Sequence, residues 1–221
     1  MRQIIRKLTS KKIYLIRHGQ TNFNLNGIVQ GSGIDSSLNE TGMLQAMAFH
    51  EHFSAFPFDV VFTSRLKRSQ ESVASFISAG VPHHPLAELN EINWGTKEGT
   101  KITPEEDAYY HWLLTQWQLG NTMLRIEGGE SPEDVAQRQR KAIQEILAGD
   151  YTNILICMHG RAIRIMLCQL LNYPLHAMDI FEHQNLGLYV LNYTGSIFSV
   201  ERYNSTHHLL PIRSTTVQPL A

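Results

Sequence analysis

The chain is predicted to be an α/β protein: a mainly parallel sheet flanked by helices on both faces, with a small helical cap segment and a C-terminal hairpin. Three observations lead there. Short apolar runs at Ile13–Ile16, Asp59–Phe62 and Ile154–Met158 alternate with stretches of helical period, the pattern of buried parallel strands joined by crossover helices. The first and third runs each lead into a histidine–glycine pair, His18-Gly19 and His159-Gly160. Sheets of this kind bind ligands beyond the carboxyl ends of their strands. Near the C-terminus, Leu186–Asn192 and Ile197–Tyr203 flank Tyr193-Thr194-Gly195-Ser196, which reads as a hairpin.

The elements follow in order. Ile13–Ile16 is a buried strand, and the Gly-, Asn- and Ser-rich stretch from Gly19 to Leu38 is a loop. Thr41 is placed to cap a helix reaching about Phe56, with Leu44, Met47 and Ala48 on one face. After the second strand, one helix is expected from about Arg65 to Ser78, with Leu66, Val73, Phe76 and Ile77 inward. Pro82, Pro85, Gly95 and Gly99 break residues 81–103 into loop. Pro104–Gln118 reads as a helix carrying Tyr109, Tyr110, Trp112 and Trp117, an aromatic run that suits core or lid packing or the lining of a substrate cap. Ser131-Pro132-Glu133-Asp134 starts a helix to about Leu147, with a capping serine, proline at the first position and acids in the first turn. Arg161–Leu171, apolar almost all round, is a central helix.

The 221 residues, 43% hydrophobic and 18% charged, suit one domain with a full-sized core. Residues 1–12 and 204–221 are expected to be peripheral. A net charge of −1 gives no general case for nucleic-acid or acidic-membrane binding. Neither a signal-peptide core nor a run of membrane-spanning length is evident, so the cytoplasm is the expected compartment. Cys157 and Cys168 lie in apolar segments and read as buried free thiols. His50-Glu51-His52, His83-His84 and His207-His208 lack metal-ligand spacing, and no metal or organic cofactor is expected.

The residues around the strand ends suit a phosphoryl group. A neutral imidazole is an effective nucleophile near pH 7, and a phosphoryl group on nitrogen is labile enough to move on. Its loose transition state spreads charge over three oxygens, so catalysis needs several well-placed donors. His18 is the candidate nucleophile. Arg17 and Arg68 offer planar forks of charged donors, Asn24 an amide, and His159 a ring N–H. Gly160 lets the backbone come close at the start of a helix. A leaving alkoxide needs a proton, for which Glu91 is the candidate, with Glu88 and Glu98 as competitors. The direction of any shift in its acidity is not legible in the sequence.

These residues resemble the histidine phosphatase superfamily, in its phosphoglycerate mutase-like branch. Arg17-His18-Gly19-x-Thr21-x-x-Asn24 is similar to the family signature without a gap. Gln30-Gly31, Leu38-Asn39-Glu40-Thr41-Gly42, Ser64-x-Leu66-x-Arg68, Glu91-x-x-x-Gly95-x-x-Glu98-Gly99, Gly128-Gly129-Glu130-Ser131 and His159-Gly160 follow in the family's order. The resemblance spans residues 13–161 and the terminal hairpin. It implies a phosphohistidine on His18, acid–base work by Glu91, and a phosphate pocket of Arg17, Arg68, His159, Asn24, Gly31 and Gly160. Gln20 stands where many members carry glutamate, and Ser72 at the usual threonine position. The implied activity is hydrolysis of a small phosphorylated metabolite. Intramolecular transfer, as in a mutase, and phosphoprotein binding without catalysis are the alternatives. The segment Thr100–Glu127 is shorter than the insertion of the dedicated mutases, which favours a wetter cleft and hydrolysis. The natural substrate and the oligomeric state are left open.

Overall fold

The computed structural model describes residues 10–101 and 103–210; residues 1–9 and 211–221, most of both tails, lie outside them. Six strands form one sheet in the order β3-β2-β4-β1-β5-β6. β1 is Lys11–Arg17 and α1 the short Asn22–Leu25. Next come α2, Glu40–Phe53, β2, Val60–Thr63, α3, Lys67–Glu71, α4, Ala74–Ser78, and β3, His83–Pro85. The second half contains α5, Pro104–Gln118, α6, Pro132–Ala148, β4, Asn153–Met158, α7, Gly160–Leu170, β5, Leu188–Tyr193, and β6, Phe198–Ser205. β1, β2 and β3 run parallel to their neighbours in the first four positions. β5 lies antiparallel to both β1 and β6, which makes the terminal hairpin.

The period of two along the strands sorts the core into two layers. Ile13, Leu15, Val60, Phe62, Ile154, Ile156 and Met158 face α5, α6 and α7, joining Leu113, Trp117, Val135, Ile146 and Ile163. Tyr14, Ile16, Val61, Leu155 and Cys157 face the other way, onto Phe49, Phe53 and Phe76 of α2 and α4. Each layer covers one face of the sheet, as parallel strands require.

The structure departs from the sequence reading in several places. α2 is capped by Asn39, whose side chain accepts from Gly42 N at 2.9 Å, not by Thr41. Ala48, Phe49 and Phe53 form its buried face, while Leu44 and Met47 are 50% and 55% exposed. The aromatic pair sets the helix phase, and the smaller stripe a few residues earlier turns outward. The single helix expected at 65–78 is two, α3 and α4. Ser69 and Ser72 explain the break: Ser69 Oγ donates to Leu66 O at 2.9 Å and Ser72 Oγ to Arg68 O at 2.6 Å, competing for carbonyls that helical N–H groups would take. Within the stretch expected to be loop, His83–Pro85 adds an edge strand beside β2.

The ends of the described chain are not peripheral. Lys11 is 3% exposed within β1, and its ammonium donates to Gly149 O and Tyr151 O. Its alkyl stem is buried along the sheet while the charge is solvated by carbonyls. At the other end, His208 and Leu209 are buried against the α2 side, and Asn204 is buried with its side chain accepting from Gln184 N. The start of α6 follows the sequence reading: Ser131 and Asp134 form a reciprocal capping box with proline in the first turn. Cys157 and Cys168 are buried free thiols. Among the described residues no helix is long and apolar enough to cross a membrane, and no group of three or more His, Cys, Asp or Glu is arranged to hold a metal ion.

Candidate active site

β1 and β4 are paired in parallel with Arg17 opposite Met158, so the residues that follow them emerge side by side. His18 N donates to Met158 O at 2.9 Å. The rings of His18 and His159 lie 5.1 Å apart, and both are essentially buried. Two segments 141 positions apart in the sequence therefore meet at one edge of the sheet.

His18 Nδ1 lies 2.7 Å from Gly19 O. A carbonyl can only accept, so Nδ1 carries the proton and Nε2 the lone pair. Burial, reinforced by the charges of Arg17 and Arg68, holds the imidazole well below its ordinary pKa. His18 is thus neutral, in the tautomer that presents Nε2 as a base. Gly19 is required by close approach: a Cβ there would meet Gly42 O at 2.8 Å.

His159 caps the N-terminus of α7. Its Nδ1 accepts from Arg68 Nε at 3.2 Å, which leaves Nε2–H to face Ser64 Oγ at 2.7 Å. Burial and the Arg68 charge keep this ring, too, well below the usual histidine value. Both of its nitrogens are engaged by protein groups, so the ring N–H expected to face substrate points at Ser64.

Arg68 is fully buried without a carboxylate on it. Nη1 donates to Ile34 O at 2.6 Å and Nη2 to Gly31 O at 3.0 Å. Burial brings its pKa down to about 10, with Glu91 and Asp35 opposing the shift. It is still cationic at neutral pH, and each terminal nitrogen keeps a second N–H. Gly31 thus meets the site through its carbonyl on Arg68. Its missing Cβ leaves room for Glu98, whose Oε1 would lie 2.1 Å away.

Arg17 Nη1 lies 3.3 Å from His183 Nδ1, while Arg17 Nε is buried with no hydrogen-bond partner among the described residues. Asn24 serves locally. Its Oδ1 accepts from Thr21 N at 3.2 Å, closing a capping box on α1, and from Asn185 Nδ2 at 3.3 Å. The same Asn185 amide donates to His18 O at 3.0 Å.

Glu91 is 7% exposed and lies at the start of α7. Oε1 accepts from Ile92 N and Ala162 N, each at 2.9 Å, and Oε2 from Arg161 N at 3.1 Å. A carboxylate on free N–H groups at a helix start is a favourable pairing. The loop that carries it is clamped by Arg138 of α6, which grips Glu130 through Nε and Nη2 at 2.8 and 3.0 Å and also donates to Glu88 O and Glu91 O. Of the competing acids, Glu88 contributes only that carbonyl, and Glu98 Oε1 accepts from Trp94 N within its own loop.

The model for the histidine phosphatase superfamily (branch 1) matches residues 13–206. The chain belongs to that family. A 2,3-bisphosphoglycerate-dependent phosphoglycerate mutase of Gloeobacter violaceus is 33% identical to it over 167 residues, 72% of this chain and 74% of the relative. An adenosylcobalamin/alpha-ribazole phosphatase of Salmonella typhimurium is 30% identical over 168 residues, 74% of this chain and 81% of the relative. Among solved structures, the alpha-ribazole phosphatase of Shigella flexneri superposes with a TM-score of 0.77 at 27% identity, covering 88% of this chain and 96% of that one. The relatives of this chain thus include both phosphatases and mutases.

Sequence reasoning missed a second cationic layer behind the candidate site. Arg161 and Arg164 of α7 both ion-pair with Asp179, and Arg161 Nη2 donates to Tyr110 OH at 2.9 Å. Burial opposes ionisation of Asp179, but the two guanidiniums outweigh it and hold the carboxyl below its usual range. His183, beside Arg17, is driven far below an ordinary histidine by burial and then by Arg17 and Arg164. Two arginines three apart in an otherwise apolar helix were the available signal. Nothing in the sequence marked His183, Asn185 or Asp179, because their partners come from distant elements.

Proposed function

We propose that the protein is a phosphomonoesterase that hydrolyses a small phosphorylated metabolite through a phosphohistidine on His18. The observation that carries this reading is the neutral His18 ring with its Nε2 lone pair free, set beside the buried Arg68 guanidinium and the half-buried Arg17. The dianionic phosphoryl group is held by Arg17 Nε and the remaining N–H groups of Arg68, with the Gly160 backbone at the α7 start adding a favourable dipole. Asn24 and Gly31 act by positioning the His18 turn and Arg68. His159 orients Arg68 and reaches the phosphoryl oxygens once its N–H leaves Ser64.

In the first step Glu91, protonated from solvent as the dianionic ester binds, acts as acid: His18 Nε2 forms a bond to phosphorus, the ester P–O bond breaks, and the leaving oxygen takes the Glu91 proton. In the second, water gives a proton to Glu91 and its oxygen displaces the histidine, releasing inorganic phosphate and restoring the ring. Oε2, with a single backbone donor, is the freer oxygen of Glu91 for both transfers. Neither step uses a metal or organic cofactor. Cytoplasmic residence goes with this reading, since both cysteines are free thiols.

The 33% identity to a mutase supports the second reading, transfer of the phosphoryl group to another hydroxyl of the same molecule. Against it stands the short stretch between Gly99 and Gly128, in which the described residues form the one α-helix α5; a small cap favours hydrolysis of the intermediate over its protection from water. Incubation with a panel of phosphomonoesters, and separately with 3-phosphoglycerate and a bisphosphate primer, separates the two: release of inorganic phosphate from the panel is expected, and isomer formation without release supports the mutase. With radiolabelled substrate, an acid-labile, base-stable protein label is expected from the native chain and none from His18→Ala. A label of equal size on His18→Ala rejects the nucleophile.

A further inference from the structure

We propose that a cavity beside the phosphate pocket seats an uncharged, ring-bearing leaving group, so that the preferred substrates are phosphomonoesters of aromatic-ring alcohols rather than of small acids. The inference rests on the phosphatase reading above and deepens it. The cavity has a volume of about 210 Å³ and is lined by Val29, Gln30, Trp94, Lys97, Tyr109, Tyr110 and Ile126. Five of these present apolar or aromatic surface. Trp94 and Tyr110 meet edge to face with centroids 5.6 Å apart, and Lys97 Nζ stands 5.6 Å from the centre of the Tyr109 ring. An apolar cavity of roughly 150 Å³ already accommodates benzene. A phenyl ring fits here, and gains from aromatic neighbours set edge-on or offset.

Three of the walls are tied to the phosphate site. Gln30 precedes Gly31, whose carbonyl holds Arg68. Trp94 lies three residues after Glu91. Tyr110 accepts from Arg161, whose backbone N–H is bound by Glu91. The cavity is thus connected to Arg68 and to Glu91, the proposed proton donor to the leaving oxygen, and this is the side we assign to the ester's alcohol portion. Of the cations near the cavity, Lys97 on the wall stands over the Tyr109 ring, and Arg161 behind the wall is bound to Tyr110 and Asp179. Walls that are mostly apolar and aromatic favour a ring over a carboxylate. Tyr109, 39% exposed, stands at the mouth.

The test compares 2-phenylethyl phosphate with ethyl phosphate, two primary alkyl esters that differ in the ring and little in the chemistry of the leaving oxygen. The ring-bearing ester is expected to have at least tenfold higher kcat/KM, mainly through KM. Tyr109→Ala is expected to cut that ratio at least threefold. Benzylphosphonate and methylphosphonate, which cannot be hydrolysed, give the same comparison as competitive inhibitors of the native protein, again with at least a tenfold preference. Phosphate release from both esters with a ratio below tenfold, or a ratio within threefold of native in folded Tyr109→Ala, overturns the pocket and leaves the phosphatase reading standing. Release from neither ester overturns both.

Discussion

The turn after β1 and the turn after β4 look alike in sequence, each an apolar strand followed by histidine and glycine, yet the fold uses them differently. After β1 the ring of His18 bonds to the carbonyl of the next residue, and one nitrogen is left free. After β4 the ring of His159 becomes a bridge, with Arg68 on one nitrogen and Ser64 on the other. The glycines differ too. A Cβ on Gly19 would strike the backbone of Gly42 at the start of α2, whereas one on Gly160 would meet the side chain of His183 at 2.7 Å. One motif can thus supply a reactive nitrogen or an orienting one. The choice is made by what the rest of the chain brings to the ring.

The sharpest way to break this comparison is to remove each ring in turn. His18→Asn is expected to lower phosphatase kcat by on the order of 10⁴–10⁶-fold, as loss of a nucleophile does. His159→Asn is expected to cost about 10²–10³-fold, the scale of one transition-state donor, while the protein still takes up phosphate label. Equal losses, or labelling that survives only in His18→Asn, reverse the assignment of the two turns.

Glu91 belongs to the second turn, because its carboxylate rests on the first N–H groups of α7. Glu91→Gln keeps the shape and removes the proton. A loss of about 10²–10⁴-fold is expected on alkyl phosphates, and a much smaller one on aryl phosphates, whose leaving oxygens need little protonation. Equal losses on both ester classes, measured as kcat, count against the acid role.

Stability gives gentler tests. Gly19→Ala pushes against rigid backbone and is expected to cost about 1–3 kcal/mol, the range for overpacking. Gly160→Ala meets only a ring that can turn, and it sits in a helix that favours alanine, so urea melts are expected to show a smaller loss there. The reverse order means that His183 is the more rigid neighbour.

The two rings should behave alike toward pH. Both are held well below the usual histidine pKa of about 6.5. As pH falls below the unfolded value, the unfolded chain takes up protons that the folded rings refuse. Their contribution is therefore complete above about pH 6.5 and declines as pH drops toward the folded pKa values, with a limiting slope of about 1.4 kcal/mol per pH unit for each ring. Replacing either histidine by asparagine is expected to flatten the curve of urea stability against pH between 6.5 and 5. An unchanged slope in His18→Asn means that the ring titrates normally in the folded state.

Much of the molecule was legible because local chemistry dictated it. Runs such as Ile154–Met158 permit little but a buried strand. The Ser131-Pro132-Glu133-Asp134 start is locally complete, with cap, proline and acid in four residues. Where two local signals competed, tertiary packing chose. Leu44 and Met47 were apolar enough to face inward, but Phe49 and Phe53 offered more surface to bury and fixed the phase of α2. The serines that split residues 65–78 became decisive only because Ser72 also accepts from Gly19 N, at 2.9 Å, tying the helix break to the His18 turn.

The sequence by itself determined the strands, most of the helices and which residue types stand at the strand ends, since these depend on residue type and near neighbours. Only the tertiary structure decided which nitrogen of each imidazole is free, how Arg68 is gripped, and that His183, Asn185 and Asp179 stand beside the site. Those outcomes depend on hydrogen bonds between residues far apart in the chain. A linear sequence records the partners available for such bonds but not the few ångströms that select among them.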